Sequence, residues 1–258
     1  MTARCNLIID SCCDLPFEVV DCKGIDLIGF PYVMSDGEHQ DDLYRTTTAH
    51  EYYQAMREGE EPSTAQLSVP VLREAFQKAA DSKVPTVYLS FSSGLSGSYD
   101  VAEMVLAQVM SENPDARIYL VDTRLASAAE ALLVYEAIRQ RARGLTAEEL
   151  VEWALEARFF VNAEFMLDDL GALKRGGRIP ASVAYAGAKL DVKPLLTIDL
   201  EGRLTLSGVA RGRKKGVKQL ADHFEKRAVS AGPGQCVVVA HADCPKDAER
   251  LKDALAKI

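Results

Sequence analysis

A repeated alternation of short apolar runs and longer amphipathic segments is the feature that most constrains the fold. Apolar runs at residues 6–9, 27–32, 86–91 and 117–121 are bounded by polar or turn residues, which is typical of buried strands. The segments between them have the periodicity of amphipathic helices. Strands that alternate with helices in this way predict a parallel sheet with helices on both faces.

Capping signals predict where several of these helices begin and end. Thr48 and Thr146 each precede a glutamate by three residues, which is the capping-box pattern. Ser68 is placed to cap a third helix, and Gly144 is a typical C-terminal residue for a long helix that begins at Ala126. These segments are therefore predicted to be helices rather than loops.

The second half of the sequence has a different pattern. The predicted order is a strand at 159–162, a helix at 167–174, a hairpin of strands at 193–200 and 203–209, a helix at 214–229, a strand at 236–241 and a final helix from 243. The fold class predicted for the chain is α/β with two domains. Residues 1–155 form a parallel-sheet α/β/α domain, and residues 156–258 form a second α/β domain with a mixed sheet.

Composition disfavours several classes of partner. The 38 acidic and 30 basic residues give a net charge of -8, which argues against nucleic acid or anionic lipid as the main partner. The longest apolar stretch near the N-terminus, Leu7 to Ile9, is too short for a signal peptide, and no later run approaches a membrane span. The six cysteines include no C-x-x-C pair, so free thiols are expected. We expect a cytoplasmic protein, monomeric, without a metal site or stable membrane insertion.

The stretch FSSGLSGSY, residues 91–99, places four serines and two glycines directly after a predicted strand. A catalytic serine is disfavoured because Gly94-Leu95-Ser96-Gly97 is one residue short of a G-x-S-x-G elbow, and the sequence ties no histidine to it. An anion-binding turn fits better, since a glycine-rich turn into a helix presents N–H groups. A glycine turn with serine caps and no ligand is the alternative.

Other hydroxyl-rich segments are predicted to share an edge with this turn. Asp10 and Ser11 follow the first strand, and residues 62–68 precede a helix. Since the carboxyl ends of parallel strands line one edge of a sheet, these segments are expected to converge. The pooled groups suit holding a ligand better than transforming it. Arg175 and Arg178 in the second domain could compensate a buried anion, although a solvated loop explains them equally well.

These segments together resemble the motifs of a known family. IIDSCCDLP resembles I-x-D-S-x-x-D-L-P, PSTAQLS resembles P-x-T-S-Q-P-S, FSSGLSGSY resembles S-S-G-L-S-G-T-Y, and LDDLGALKRGGRI resembles D-x-L-x-x-L-x-x-G-G-R-I. The later DVKPLLTIDLEGRL and VARGRKKGVKQL resemble the same family's hairpin and basic segment. The chain thus resembles the DegV family, whose bacterial members are fatty-acid-binding proteins, including the lipid-binding subunits of fatty acid kinase.

The resemblance implies that the protein holds a long-chain fatty acid in a tunnel between its domains and presents the carboxylate to a separate fatty acid kinase catalytic subunit. It implies no catalysis by the protein itself and no cofactor. By similarity, the residues of the carboxylate site are the donors Thr64 and Ser93, the supporting Ser92, Ser96 and Gly94 amide, the orienting Arg178, and Asp10 and Ser11 at the floor. The alternative is an acyl- or phosphoryl-transfer enzyme that uses the serine turn directly.

The sequence departs from the family pattern at three places. Ala65 replaces a serine after Thr64, and Cys12-Cys13 occupies a pair of small-residue positions. The resemblance also implies a further strand with a histidine-bearing segment, which the sequence does not contain before it ends at Ile258. Small residues within 182–190 could leave room for an acyl tail, or pack tightly against a sheet. The basic run from Arg211 to Lys215 could be a solvated face or a docking patch.

Overall fold

The computed structural model describes residues 3–168, 170–179, 192–228 and 235–258. The chain divides into two compact units, Met1–Val161 and Asn162–Ile258. The strands in chain order are β1 (Asn6–Asp10), β2 (Ile25–Ile28), β3 (Pro31–Met34), β4 (Gly37–Gln40), β5 (Ser63–Thr64), β6 (Thr86–Ser90), β7 (Ile118–Asp122), β8 (Phe165–Met166), β9 (Val192–Ile198) and β10 (Leu204–Arg211).

The helices in chain order are α1 (Phe17–Val20), α2 (Ala49–Arg57), α3 (Val69–Ser82), α4 (Ser98–Glu112), α5 (Ser127–Arg143), α6 (Ala147–Ala157), α7 (Gly171–Arg175), α8 (Arg213–Arg227) and α9 (Pro245–Leu255). Short 3₁₀ helices occupy Ser11–Cys13 and Arg158–Phe160.

A parallel four-stranded sheet in the order β2-β1-β6-β7 lies at the centre of the first unit. Its two central strands are buried, with Leu7, Ile9, Val87 and Leu89 fully shielded from solvent. Near-continuous apolar strands are what a parallel sheet covered on both faces requires. The prediction of a parallel α/β sheet is therefore confirmed.

Helices α3 and α4 pack on the face of this sheet that carries Ile8 and Tyr88. The Phe76 ring of α3 lies 6.0 Å, centroid to centroid, from the ring of Tyr88, and Leu72 and Val105 complete this buried cluster. Truncating a ring in such a core costs about 3–5 kcal/mol. Helix α6 contacts β6 and β7. The amphipathic periodicity predicted from the sequence thus serves to cover the sheet.

The predicted capping boxes are present. Thr48 and Thr146 each accept a hydrogen bond from the N–H three residues later, and the glutamate there bonds back to the threonine N–H. Gly144 ends α5 in the left-handed region at φ +98°. Ser68 precedes α3 as predicted, but its side chain makes no capping hydrogen bond. The capping residues therefore predict these helix boundaries correctly, although Ser68 does not form the capping hydrogen bond.

The prediction of one strand at 27–32 is wrong, because the chain leaves the parallel sheet there and starts another. β3 belongs to an antiparallel sheet in the order β4-β3-β5. A β-carbon placed on Gly29 would lie 2.5 Å from the carbonyl oxygen of Asp41. The N–H of Phe30 donates to Ser11 Oγ rather than to a neighbouring strand. These close contacts interrupt the apolar run.

The second unit contains a three-stranded sheet in the order β10-β9-β8, and its described strand pairs are all antiparallel. The predicted hairpin is confirmed, and its turn is closed by Gly202 at φ +77°. Helix α8 packs on β10, and α9 packs on α8.

Three predicted elements of the second half differ from the structure. The strand predicted at 159–162 is wrong, since the Arg158 guanidinium donates to the Asp122 carbonyl and the chain continues α6 as a 3₁₀ turn. The helix predicted at 167–174 covers only α7, because the Leu167 N–H donates to Pro194 O and extends the ladder of β8. Residues 236–241 pair with no strand in the described ranges and form no strand.

Candidate functional site

The carboxyl ends of β1, β6 and β7 meet at one edge of the parallel sheet. Ser90 at the end of β6 is in register with Asp122 of β7, and Asp10 ends the adjacent β1. The serine-rich segment leaves β6 at this edge and turns into α4. The predicted position of the serine turn, at the edge where ligands of open α/β sheets bind, is therefore the observed one.

Asp10 is fully buried beneath the turn and fastens it to β1. Its carboxylate accepts hydrogen bonds from the N–H of Phe91 at 2.8 Å, the hydroxyl of Tyr88 at 3.1 Å and the N–H of Cys12 at 3.2 Å. Burial raises the pKa of Asp10 to about 7, although these three donors lower it. Asp10 is placed to hold the floor of the site together rather than to contact solvent.

Ser11 is also fully buried and fastens the end of β1 to the next loop. Its Oγ accepts from the N–H of Phe30 at 3.0 Å. Its hydroxyl also bonds to Asp41, which lowers the pKa of that carboxyl, while burial, the larger influence, raises it.

A second buried acid lies close to these residues. Glu130 of α5 is fully buried, and neither carboxyl oxygen has a hydrogen-bond partner among the described residues. Burial raises the pKa of Glu130 well above its ordinary value, and the charges of Asp10, Asp14 and Asp122 raise it further. We call Asp10, Ser11 and Glu130 the floor.

Ser92 stabilises the conformation of the turn through hydrogen bonds within it. It is fully buried, its Oγ accepts from the N–H of Gly94 at 3.1 Å, and its carbonyl accepts from the N–H groups of Leu95 and Ser96. The Gly94 amide, predicted to support a carboxylate, thus donates inside the turn. Ser92 shapes the turn, whereas its own hydroxyl is shielded from solvent.

Ser96 and Ser98 fasten the segment 62–68 to the turn. The two hydroxyls lie 3.0 Å apart, and Ser98 Oγ accepts from the N–H of Leu67 at 3.0 Å. A β-carbon placed on Gly97 would lie 2.3 Å from Nε2 of Gln66. The two segments that the sequence predicted to converge are therefore in contact. Thr64 lies in β5 opposite Tyr32 and is exposed.

Ser93 is the exposed hydroxyl of the turn, and it is paired with a residue that the sequence did not single out. Its N–H donates to Asp122 Oδ1 at 3.1 Å and its hydroxyl donates to Asp122 Oδ2 at 2.7 Å. Asp122 Oδ1 also accepts from the N–H of Arg124 at 3.0 Å, and Arg124 Nε lies 3.6 Å from Oδ2. We call Ser93, Asp122 and Arg124 the rim.

A second arginine adjoins the rim. Arg158 Nη1 donates to the backbone carbonyl of Asp122 at 2.5 Å. Burial, followed by the charge of Arg124, lowers the pKa of Arg158. A sequence signal for this region exists: Asp122-Thr123 stands at the end of β7 as Asp10-Ser11 stands at the end of β1. An acid and a hydroxyl at the end of two parallel strands mark the same edge.

Arg178 lies in the second unit, just after α7. Its N–H donates to the carbonyl of Leu173 at 3.0 Å, and its side chain folds back beside Gly176. The small-residue segment 182–190 lies outside the described residues. Arg213, one residue of the basic run, forms ion pairs with Asp168 and Asp247 within the same unit. One positive charge of the run is therefore used in an intramolecular contact.

The described residues contain neither a metal-binding cluster nor a membrane-spanning helix. Within the described ranges, no group of three or more His, Cys, Asp and Glu side chains is arranged to hold a metal ion. No helix in the same ranges combines the length and apolar character needed to cross a bilayer. All six cysteines are free thiols.

The α/β fold of this chain is shared with solved structures. A DegV lipid-binding protein from Thermotoga maritima superposes with a TM-score of 0.81 at 26% identity, covering 98% of this chain and 87% of that protein. A fatty-acid-binding DegV family protein from Thermus thermophilus superposes with a TM-score of 0.74 at 30% identity, covering 88% and 79%. The class that the fold defines is therefore that of two-domain α/β proteins.

The sequence comparisons give the family. The family model described as "Uncharacterised protein, DegV family" matches residues 4–258. A DegV domain-containing protein of Clostridium perfringens is 35% identical over 249 residues, which cover 96% of this chain and 85% of the relative. The chain belongs to the DegV family, and the resemblance found in its motifs is confirmed.

Proposed function

We propose that this protein binds a long-chain fatty acid and holds the carboxylate at the edge of its parallel sheet. Thr64 and Ser93 are the proposed donors, with the tail in the second domain as the resemblance implies. The observation that carries the proposal is the exposure of Ser93 in a turn whose other serines are engaged internally. The Thermotoga maritima and Thermus thermophilus relatives, described as lipid-binding and fatty-acid-binding, support it.

The energetics suit a carrier with modest polar anchors. Burying an acyl chain contributes about 0.8 kcal/mol per methylene to binding. A sixteen-carbon chain therefore contributes on the order of ten kcal/mol, and its head group needs to add little. A hydrogen bond from a hydroxyl to a charged carboxylate adds about 1.5–3 kcal/mol. The hydroxyls then orient the ligand and select for a carboxylate, while the tail supplies affinity.

The finer parts of the proposal rest on the motif resemblance. We propose that the protein acts in the cytoplasm as a monomer, without a cofactor, and presents the carboxylate to a fatty acid kinase catalytic subunit without catalysing a reaction itself. Arg178 is proposed to orient the carboxylate. Ser92, Ser96 and the Gly94 amide are proposed to support the site by shaping the turn, with Asp10 and Ser11 below. Nucleic acid and stable membrane insertion play no part.

A second candidate function follows from the contact between Ser93 and Asp122. A serine hydroxyl that donates to a carboxylate could act as a nucleophile in acyl or phosphoryl transfer. Arg124 weakens that option, because its Nε lies 3.6 Å from Oδ2 of Asp122 and the carboxylate is therefore also engaged in an ion pair. Labelling of Ser93 by a fluorophosphonate probe would favour the enzyme over the carrier.

The test is to identify the lipid that accompanies the protein. The protein is purified from bacteria without added ligand, denatured and extracted, and the extract is analysed by mass spectrometry. We expect about one fatty acid per chain, and weaker binding of added palmitate after Ser93→Ala or Arg178→Ala. A chain that carries no fatty acid and binds none when palmitate is added would contradict the proposal.

A further inference from the structure

The Ser93 hydroxyl has one proton to donate, and in the structure that proton goes to Asp122. Ser93 Oγ lies 2.7 Å from Asp122 Oδ2. A hydroxyl offers one donor and two acceptor lone pairs, whereas an ionised carboxylate offers acceptors alone. Asp122 therefore occupies the donor that the proposed function assigns to the fatty acid.

A ligand carboxylate at Ser93 consequently meets two obstacles. It cannot accept from Ser93 until the hydroxyl turns away from Asp122. It also brings a second negative charge close to the first, and like charges at short range raise the free energy of the complex. Both obstacles have one origin, the carboxylate of Asp122.

The two neighbouring arginines offset the second obstacle. Arg124 Nε lies 3.6 Å from Asp122 Oδ2, and Arg158 donates to the backbone carbonyl of the same residue. Burial, and after it the charge of Arg124, lowers the pKa of Arg158, so the two cations repel each other. An arriving anion relieves that repulsion, which makes this part of the edge suited to a carboxylate.

Backbone contacts hold Asp122 in place without help from the hydroxyl. Its Oδ1 accepts from the N–H groups of Ser93 and Arg124, and its side chain is only 13% exposed. Ser93 is exposed. Rotation about the Cβ–Oγ bond of Ser93 can therefore redirect the proton to a ligand while the Asp122 carboxylate stays where it is.

We propose that Asp122 is a positioning residue that competes with the fatty acid carboxylate for the Ser93 hydroxyl and so limits the affinity of the site. The inference rests on the proposed function, because it takes Ser93 to be a head-group donor. It adds that the affinity is set below its attainable maximum, as a carrier that must release its ligand requires.

The decisive variant is Asp122→Asn, which keeps the shape of the side chain. Its amide oxygen can still accept from the two backbone N–H groups, and its new N–H₂ group can donate to Ser93 Oγ. The serine proton is then available to the ligand, and the charge repulsion is gone. We expect palmitate to bind about tenfold more tightly, the change that one freed charge-assisted hydrogen bond supports.

Two controls separate competition from a structural role. Hexadecanol has the chain length of palmitate without its charge, and we expect Asp122→Asn to leave its affinity unchanged. Ser93→Ala should weaken palmitate about threefold in the wild type, where the hydroxyl must first leave Asp122, and about tenfold or more in the Asp122→Asn background. Affinities are measured by displacement of a fluorescent fatty-acid probe from delipidated protein.

Each outcome has one interpretation. If the wild type binds no palmitate, the proposed function fails. If it binds palmitate but folded Asp122→Asn binds it no more tightly, only the role of Asp122 is overturned. If Asp122→Asn does not fold, Arg124→Gln decides: we expect about threefold weaker palmitate binding with hexadecanol unchanged, and unchanged palmitate binding would overturn the inference.

Discussion

The floor and the rim lie at the same sheet edge, but their carboxyl groups have opposite surroundings. In the floor, Asp10 and Glu130 are fully buried, and burial raises the pKa of each carboxyl. In the rim, Asp122 is accompanied by Arg124 and two backbone N–H groups. The difference indicates that the floor is a buried part of the fold, whereas the rim offers an exchangeable contact.

The largest effect that separates the floor from the rim is expected for the stability of Asp10→Ala. It leaves the N–H groups of Phe91 and Cys12 and the hydroxyl of Tyr88 without their acceptor, so we expect about 2–4 kcal/mol of lost stability. Ser93→Ala removes one exposed hydroxyl and should cost less than about 1 kcal/mol. Urea unfolding of both variants gives the measurement, and equal losses would remove the distinction between floor and rim.

The next effect is a pH dependence that belongs to the floor. A buried carboxyl with a raised pKa keeps its proton when the unfolded chain has lost it, so stability falls as pH rises above the unfolded value. For Asp10 the fall extends from 3.8 to about 7, and for Glu130 it begins at 4.5. Glu130→Gln cannot lose a proton in either state.

We therefore expect Glu130→Gln to be more stable than the wild type at pH 8, because only the wild type gains stability in the unfolded state by losing this proton. The gain should shrink as the pH is lowered toward 4.5. Urea midpoints at several pH values test this, with Asp122→Asn as the rim control. A gain that does not vary with pH would show that Glu130 is ionised in the folded protein.

A smaller difference in stability is expected between alanine substitutions at two glycines. A β-carbon on Gly29 would meet the backbone oxygen of Asp41, whereas one on Gly97 would meet the flexible end of Gln66. Gly29→Ala should therefore cost about 1–3 kcal/mol, and Gly97→Ala less than about 1 kcal/mol with a few-fold loss of palmitate affinity. Thermal unfolding and probe displacement check the pair, and the opposite order of stability losses would contradict the assignment.

Local patterns predicted the elements whose causes are local. The boxes at Thr48 and Thr146 and the turn at Gly202 depend on residues only a few positions apart, and all three are present. The apolar run at 27–32 was misread because its interruption depends on the contact between Gly29 and Asp41. The strand predicted at 236–241 is wrong because a strand needs a partner, and these residues pair with no strand in the part of the chain that the structure describes.

The candidate site likewise combines features that the sequence predicts with contacts between distant residues that it does not predict. The convergence of Asp10-Ser11, the segment 62–68 and the serine turn follows from the parallel sheet and was predictable. The pairing of Ser93 with Asp122 joins residues 29 positions apart, and the buried position of Glu130 depends on helix packing. Neither contact leaves a short-range signature, although the acid-hydroxyl pairs after β1 and β7 point to the edge on which both lie.

The central claim is that exposed hydroxyls at this edge hold a fatty acid carboxylate. The most direct test compares palmitate and hexadecanol binding to the wild type and to the double variant Thr64→Val with Ser93→Ala. We expect palmitate affinity to fall by about tenfold or more while hexadecanol affinity is unchanged, since only the carboxylate loses its donors. Equal affinity of the wild type and the double variant for palmitate, with both folded, would contradict the account.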